Sequence, residues 1–398
     1  MSYEMKKLDD VCRFTRGPFG GSLKKEFFVK DGYAVYEQQH AIYNQFGDIR
    51  YFIDEGKFLE MKRFELLPGD LIMSCSGTMG RIAIVPEGIK RGVINQALLK
   101  LTPKTSVNIR FLKHWLDSDS FQYYLNDHVH GAAIKNVASV AILKELPIPL
   151  PSLPEQKRIA AILDKTDAIR RKRQQTIQLA DDFLRAVFLD MFGDPVTNPK
   201  GWNENLLSEL CLEKMNNGIF KKNDEYGEGL PVAWVSELFG NHQITFSEKT
   251  NFISATRKEV DKYGLYYGDI LFCRSSLKLE GIGWNNVYFG EEKQALFECH
   301  LIRMRPKLDC INPVFLNYQL RLPGIRARVF SQAKTVTMTT IDQDGIGKVK
   351  VIVPEKALQD RFEVLFRKTI NYINRTKGNN DLDALFMSLS QKAFSGVL

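Results

Sequence analysis

From Pro154 to Phe192 the apolar positions recur in alternating steps of three and four. Ile159, Ile162, Thr166, Ile169, Arg173, Thr176, Ala180, Phe183 and Val187 form one line, and Leu163, Ile177, Leu184 and Met191 widen it on one side. That spacing predicts a helix with a seam meant for a second helix. At 1.5 Å per residue, about 39 residues make a rod of roughly 58 Å. Prolines at 147, 149, 151 and 154 end the preceding strand, and Glu155 falls in the first helical turn, where a negative charge is favoured. A weaker line, Phe362, Leu365, Thr369, Tyr372 and Phe386, follows Pro354 and is interrupted by Lys377–Asp381. The expected seam comprises Ile159, Ile162, Ile169 and Phe183 on the first rod and Phe362, Leu365, Tyr372 and Phe386 on the second. Two rods of this length at matched positions predict an antiparallel pair, and the run Arg170–Arg173 is expected on a solvated face.

Outside the rods the periodicity changes. "YAVYEQ", "DLIMSC", "RIAIVP" and "ALLKLTP" are short apolar or alternating runs bounded by Gly, Pro and Asp, which predicts strands. Arg110–Val129 and Val314–Phe330 have helical spacing, the second broken at Pro323. The fold class is therefore α+β.

The chain is written twice. "KKLDDVC" ending at Cys12 matches "NLLSELC" ending at Cys211, and Pro68–Gly77 matches Tyr267–Ser276, both at an offset of 199. Ile94–Lys104 matches Phe297–Lys307 at 203, and the same offset pairs Gln156 with Gln359 and Phe183 with Phe386. The shift places about four extra residues near 275–295. The expected organisation is a domain at 1–153, a helical region at 154–192, a breaker-rich linker at 193–202, a second domain at 203–353 and a second helical region at 354–398.

Composition adds limits. Of the 398 residues, 44% are hydrophobic and 26% charged, ordinary for a globular protein with more than one core. The net charge of +8 permits phosphate contacts but is spread thinly along the chain. Six cysteines form no CxxC pair, and the start of the chain has no apolar signal region, so reduced thiols, a cytoplasmic compartment and no membrane span are expected. There is no GxGxxG, no GxxxxGK[ST] and no Pro-Pro dipeptide, which excludes the usual phosphate cradles and the Asn/Asp-Pro-Pro-aromatic site that holds a flipped base. His128 and His130 lack helical zinc-ligand spacing, and no metal ligands and no catalytic residues are assigned.

The phrases "RGPFGGSLKKEFF", "GDLIMSCSGTMGRIAIVP", "LKELPIPLPSLPEQKRIAAILDKTDAI", "FLDMFGDP" and "LSQKAFSG" resemble those of the specificity subunits of type I restriction-modification systems. The resemblance implies two target recognition domains, each reading half of a split DNA sequence, and an antiparallel coiled coil that sets their spacing. It implies a chain without catalytic activity or cofactor of its own. Its partners would be double-stranded DNA, two methyltransferase subunits using S-adenosylmethionine, and restriction subunits using ATP and magnesium. The second copy offers "NNGIFKKNDEYGEG" where the first has "GPFGGSLKK", and Ser275–Ser276 where the first has Ser76–Gly77. A free-standing methyltransferase or nuclease, and a coiled-coil scaffold that never touches DNA, are the competing classes.

Base readout needs polar side chains on groove-facing loops. The candidates are Arg16, Lys24, Lys25, Gln38, Gln39, Ser76, Thr78, Arg81, Lys135 and Asn136 in the first copy. In the second they are Lys221, Lys222, Arg274, Ser275, Ser276, Lys278, Lys334 and Thr335.

Overall fold

In a computed structural model of the chain, residues 3–127, 140–240, 242–247, 250–290, 294–335, 339–377 and 382–398 are described. The chain divides into two compact units, one made of residues 1–174 and 377–398 and the other of residues 175–376. The helix Leu153–Phe192 gives its first half to one unit and its second half to the other. Among the described residues no helix is long and apolar enough to cross a membrane.

The first unit holds an antiparallel sheet in the order Cys12–Arg16, Leu98–Pro103, Leu71–Ser74, Ile82–Ile84. A second sheet is ordered Phe28–Val29, Phe52–Ile53, Tyr33–Tyr36, Gly92–Ile94, its last pair parallel. The four runs read as strands from their apolar alternation are all present. The second unit repeats the plan. Asn216–Asn217, Leu301–Met304, Ile270–Cys273 and Asn285–Val287 form the antiparallel sheet. Tyr226–Ala233 lies between Asn251–Ile253 and the parallel strand Leu296–Phe297. The extra residues of the second copy are now located. A turn closed by Gly80 N–H to Ser74 O (2.8 Å) encloses residues 75–79, whereas its counterpart, Gly283 N–H to Cys273 O (2.8 Å), encloses residues 274–282.

The stretch read as one helix from Arg110 breaks in two, and the second stretch breaks at Pro323 as expected. Ile109–Leu116 and Asp119–Asp127 are separated where the Ser118 hydroxyl donates to Trp115 O (2.6 Å). Pro313–Arg321 and Pro323–Ser331 meet at Leu322, since Pro323 has no N–H to continue the ladder. The breaker-rich segment after the long helix is an ordered cap. Trp202 Nε1 donates to Phe192 O (2.8 Å), and the Lys200 ammonium meets the carbonyls of Asp190 and Met191.

One joint recurs in both units. The first strand of each domain pairs antiparallel with its last, Met5–Lys7 with Pro147–Pro149 and Asn203–Leu206 with Lys350–Val353. The next helix starts at once, and a fully buried glutamine ties it back. Gln156 Oε1 accepts the Asn108 N–H (2.7 Å), and its Nε2 donates to Pro151 O (2.8 Å) and Ser106 O (3.2 Å). Gln359 does the same with Asn312 N–H (2.8 Å), Pro354 O (2.7 Å) and Cys310 O (3.2 Å). Asn108 and Asn312 in turn cap the helices that follow them, each accepting two backbone N–H groups.

The helices pair antiparallel within each unit, but on a face rotated from the expected seam. In the first unit Arg158 Nη2 donates to Leu398 O (2.9 Å), while the Arg170 guanidinium sits 4.9 Å from the Phe386 ring. In the second, Phe188 and Phe192 meet the ring of Phe362, with centroids 5.5 and 5.8 Å apart, and Phe366 shares a cleft with Gln178–Arg185. Ile159 and Phe362 are fully buried and Ile162 and Phe386 half-buried, whereas Ile169 (48%), Phe183 (52%), Leu365 (37%) and Tyr372 (61%) are exposed. The buried line advances mainly by fours: Gln156, Ala160; Leu163, Asp167; Leu184, Phe188, Phe192; Phe362, Phe366. The reason is competition between partners. Each helix end also packs on its own domain, Phe188 stacking on Phe315 at 5.6 Å, so the face is set by the domain and the partner helix together.

The basic run also departs from a plain solvated face. Arg170 and Arg171 both grip the buried Asp167 carboxylate, Arg170 at 2.8 Å. Burial alone would raise that carboxyl, but the two guanidinium groups hold it below the usual range.

Phe188→Ala is expected to cost about 3–5 kcal/mol and Phe183→Ala under about 1 kcal/mol, read as the shift in denaturation midpoint. Equal costs would return the seam to the Phe183 face. Gln359→Leu should cost about 1–3 kcal/mol by leaving the Asn312 N–H buried without an acceptor; an unchanged midpoint would show that the joint carries no energy.

Candidate nucleic-acid interface

At one end of the first unit several strands stop together, and backbone hydrogen bonds lace their exits. Arg16 ends its strand opposite Leu99, and the next residue, Gly17, donates to Leu98 O (2.9 Å). Asn95 N–H donates to Tyr36 O (2.9 Å), and Cys75 N–H to Ala97 O (2.9 Å). The turn Asn95–Ala97 therefore joins the exits at Arg16, Glu37 and Ser76. Gly17 presses so closely on that turn that a Cβ there would lie 1.8 Å from Asn95 O. The turn to Arg81 is held by Ser74, whose hydroxyl donates to Thr78 O (2.6 Å) and accepts the Arg81 N–H (3.0 Å). Burial pushes the Cys75 thiol up to about 11, with Arg16 beside it.

The second unit builds the same end with other side chains. Gly218 N–H donates to Leu301 O (3.1 Å), Glu298 N–H to Ala233 O (3.1 Å) and Arg274 N–H to His300 O (2.8 Å). A Cβ on Gly218 would lie 2.2 Å from the carbonyl oxygens of Phe297 and Glu298. "NNGIFKK" thus does the structural work of "RGPFGG" although the two phrases look unlike. Within the turn, Glu298 Oε2 accepts the His300 N–H (2.8 Å) and lies 2.7 Å from Nδ1, and Cys299 Sγ lies 3.7 Å from Nδ1. Burial, and next the Glu298 charge, raises the Cys299 thiol. Among the described residues these three form the group whose possible metal-ligand atoms lie within 4.8 Å of one another, and the turn's own hydrogen bonds account for their approach.

The family model of the type I restriction modification DNA specificity domain matches residues 2–179. The chain is 25% identical over 413 residues to the type I restriction enzyme EcoKI specificity subunit of Escherichia coli (strain K12), covering 95% of this chain and 86% of that one. It is 24% identical over 406 residues to the StySPI specificity subunit of Salmonella potsdam, with the same coverage. A crystal structure of the type I restriction-modification S subunit from M. genitalium shares the fold, with a TM-score of 0.62 at 16% identity, over 99% of this chain and 96% of that one. Residues 2–179 therefore match a type I restriction modification DNA specificity domain, and the chain as a whole is similar to type I specificity subunits.

Of the candidates, Arg16, Gln38, Gln39 and Ser76 sit at the laced end of the first domain, Gln38 and Gln39 opening the helix Gln38–Tyr43. Thr78 and Arg81 are exposed on the adjoining turn. Lys24 and Lys25 are exposed on the loop leaving this end, Lys24 3.8 Å from Glu26. Lys135 and Asn136 lie outside the described residues. In the second domain, Arg274 and Lys278 are exposed. Ser275–Ser276 pairs with Thr339–Thr340, which pairs with Lys334–Thr335, so the longer turn supplies one strand of a small three-stranded sheet that gathers four candidates. Lys222 is exposed, but Lys221 is held between Glu259 (3.0 Å) and Glu225 (3.2 Å) and its charge is already matched.

Sequence reasoning passed over the central turn itself, Asn95–Ala97 and Glu298–His300. The signal was present in the repeat. "NQA" and "ECH" are the unlike residues inside an otherwise matched frame, where a shared scaffold would carry different readers.

Gly218→Ala should destabilise the second unit by about 1–3 kcal/mol, because the added methyl meets fixed carbonyls rather than a flexible side chain. A melting temperature equal to that of the unaltered chain would argue against the close approach.

Proposed function

We propose that this chain is the sequence-reading subunit of a type I restriction-modification assembly. Each domain reads one half of a bipartite, asymmetric DNA target, and the paired helices set the spacing between the halves. The observation that carries this reading is the twice-built strand end, with one backbone lacing and two different sets of side chains. A common support bearing unlike polar turns suits two half-sites of unlike sequence.

The reaction chemistry belongs to partners in this reading. Methyltransferase subunits, two per chain, bring S-adenosylmethionine and modify adenine, and restriction subunits bring ATP and magnesium. The chain works in the cytoplasm, binds no cofactor and supplies recognition only. Arg16, Arg81, Lys25, Lys222, Arg274 and Lys278 are the side chains proposed to meet phosphates or base edges. Several basic contacts of this kind make affinity fall steeply with salt.

The test is to co-express the chain with its partner methyltransferase subunit and map methylated adenines across a genome. One split motif with two different halves is expected, and exchanging residues 203–353 for those of another specificity subunit should change one half alone. Methylation that ignores sequence, or persists without this chain, would sink the proposal.

A further inference from the structure

The laced end carries a feature that polar readout leaves unexplained. Phe19 is 91% exposed and Phe220 75% exposed, among the most exposed large apolar side chains described. Scattered single exposed aromatics need no explanation. These two occupy one structural position in two domains whose loops otherwise differ.

Each follows the glycine pressed on the central turn by two residues, in Gly17-Pro18-Phe19 and Gly218-Ile219-Phe220. The residue between is buried in both cases, and the glycine N–H groups donate to matched carbonyls, Leu98 O and Leu301 O. Ile219 N–H adds a bond to Phe297 O (2.8 Å), and Phe19 O accepts the Ser22 N–H (2.9 Å). The backbone under each ring is therefore fixed, and the ring is held out from a stiff support at little entropic cost.

Cations stand close to both rings in sequence. Arg16, Lys24 and Lys25 flank Phe19, and exposed Lys222 follows Phe220, the intervening Lys221 being matched by Glu225 and Glu259. The second domain adds Leu277, 88% exposed, on the segment that follows Arg274. An apolar ring raised among cations suits a polyanion with flat apolar interiors, and a protein partner's apolar pocket would not call for the cations.

We propose that Phe19 and Phe220 are base-contacting side chains, one per half-site, each laying its ring against the bases of duplex DNA. The inference rests on the DNA-reading function proposed above and assigns to it an apolar contact in addition to the polar ones. Two forms share this chemistry: contact with a thymine methyl in the major groove, and partial insertion between base steps.

The test uses the chain in complex with its partner methyltransferase subunit and a duplex carrying the mapped methylation motif. Phe19→Ala and Phe220→Ala should each weaken binding of that duplex about tenfold or more. The salt dependence should be unchanged, because an apolar contact releases no counterions. Phe→Trp at either position should retain most of the affinity. Ala variants that bind like the unaltered complex overturn the proposal, as does a shallower salt slope. Loss of co-purification with the methyltransferase also overturns it, since the rings would then be partner contacts.

A second measurement needs no variant. The unaltered complex is bound to duplexes in which each thymine is replaced by uracil, or each adenine by 2-aminopurine. One position per half-site should respond, by lost affinity for the methyl contact or by raised fluorescence for insertion, and no response in either series overturns the assignment. Equal binding of mapped and scrambled duplexes by the unaltered complex sinks the DNA-reading function itself, and this inference with it.

Discussion

The buried glutamine at the start of each helical region is the constraint on which the rest of each unit depends. Gln156 and Gln359 each satisfy a backbone N–H and two carbonyls where the closing strand, the helix start and the capped helix of the domain converge. A hydrogen-bonded joint of this kind is directional and ties the helix start to its own domain. Without it, the Asn312 N–H would be buried with no acceptor and the half-buried Asn108 would lose its partner.

The same economy governs the laced strand end. Backbone hydrogen bonds between strand exits hold the central turn, and one side-chain acceptor braces it in each domain, Asn95 for the Ala97 N–H and Glu298 for the His300 N–H, while the other side chains differ. Buried carboxylates take the supporting role elsewhere. Asp70 accepts the Leu67 N–H and the Thr102 hydroxyl, and its counterpart Asp269 accepts the Tyr266 N–H and the Arg305 guanidinium. Burial raises the Asp269 carboxyl even though Arg305 pulls it down. One scaffold position thus keeps its carboxylate while its partner changes from hydroxyl to guanidinium.

Much of this was legible beforehand. The strands at Tyr33–Tyr36, Leu71–Ser74, Ile82–Ile84 and Leu98–Pro103 followed from alternation between turn residues, and the pairing of Gln156 with Gln359 followed from the repeat. The seam was not legible. Ile169 and Phe183 fit a heptad as well as Leu163 and Leu184 do, and a periodic pattern does not say which of two adjacent lines faces inward. Nor was the equivalence of Gly17 and Gly218, since it rests on a carbonyl contact made by a residue with no side chain to compare.

By itself the sequence determined the α+β class, the duplication and the two helical regions, because periodicity, breakers and ordered repeats act locally or along the chain. Only the tertiary structure decided which helix face is buried, where the four extra residues stand and which exposed residues share the laced end. Those outcomes depend on packing between segments far apart in sequence. A side chain's exposure is the result of what the whole domain places against it.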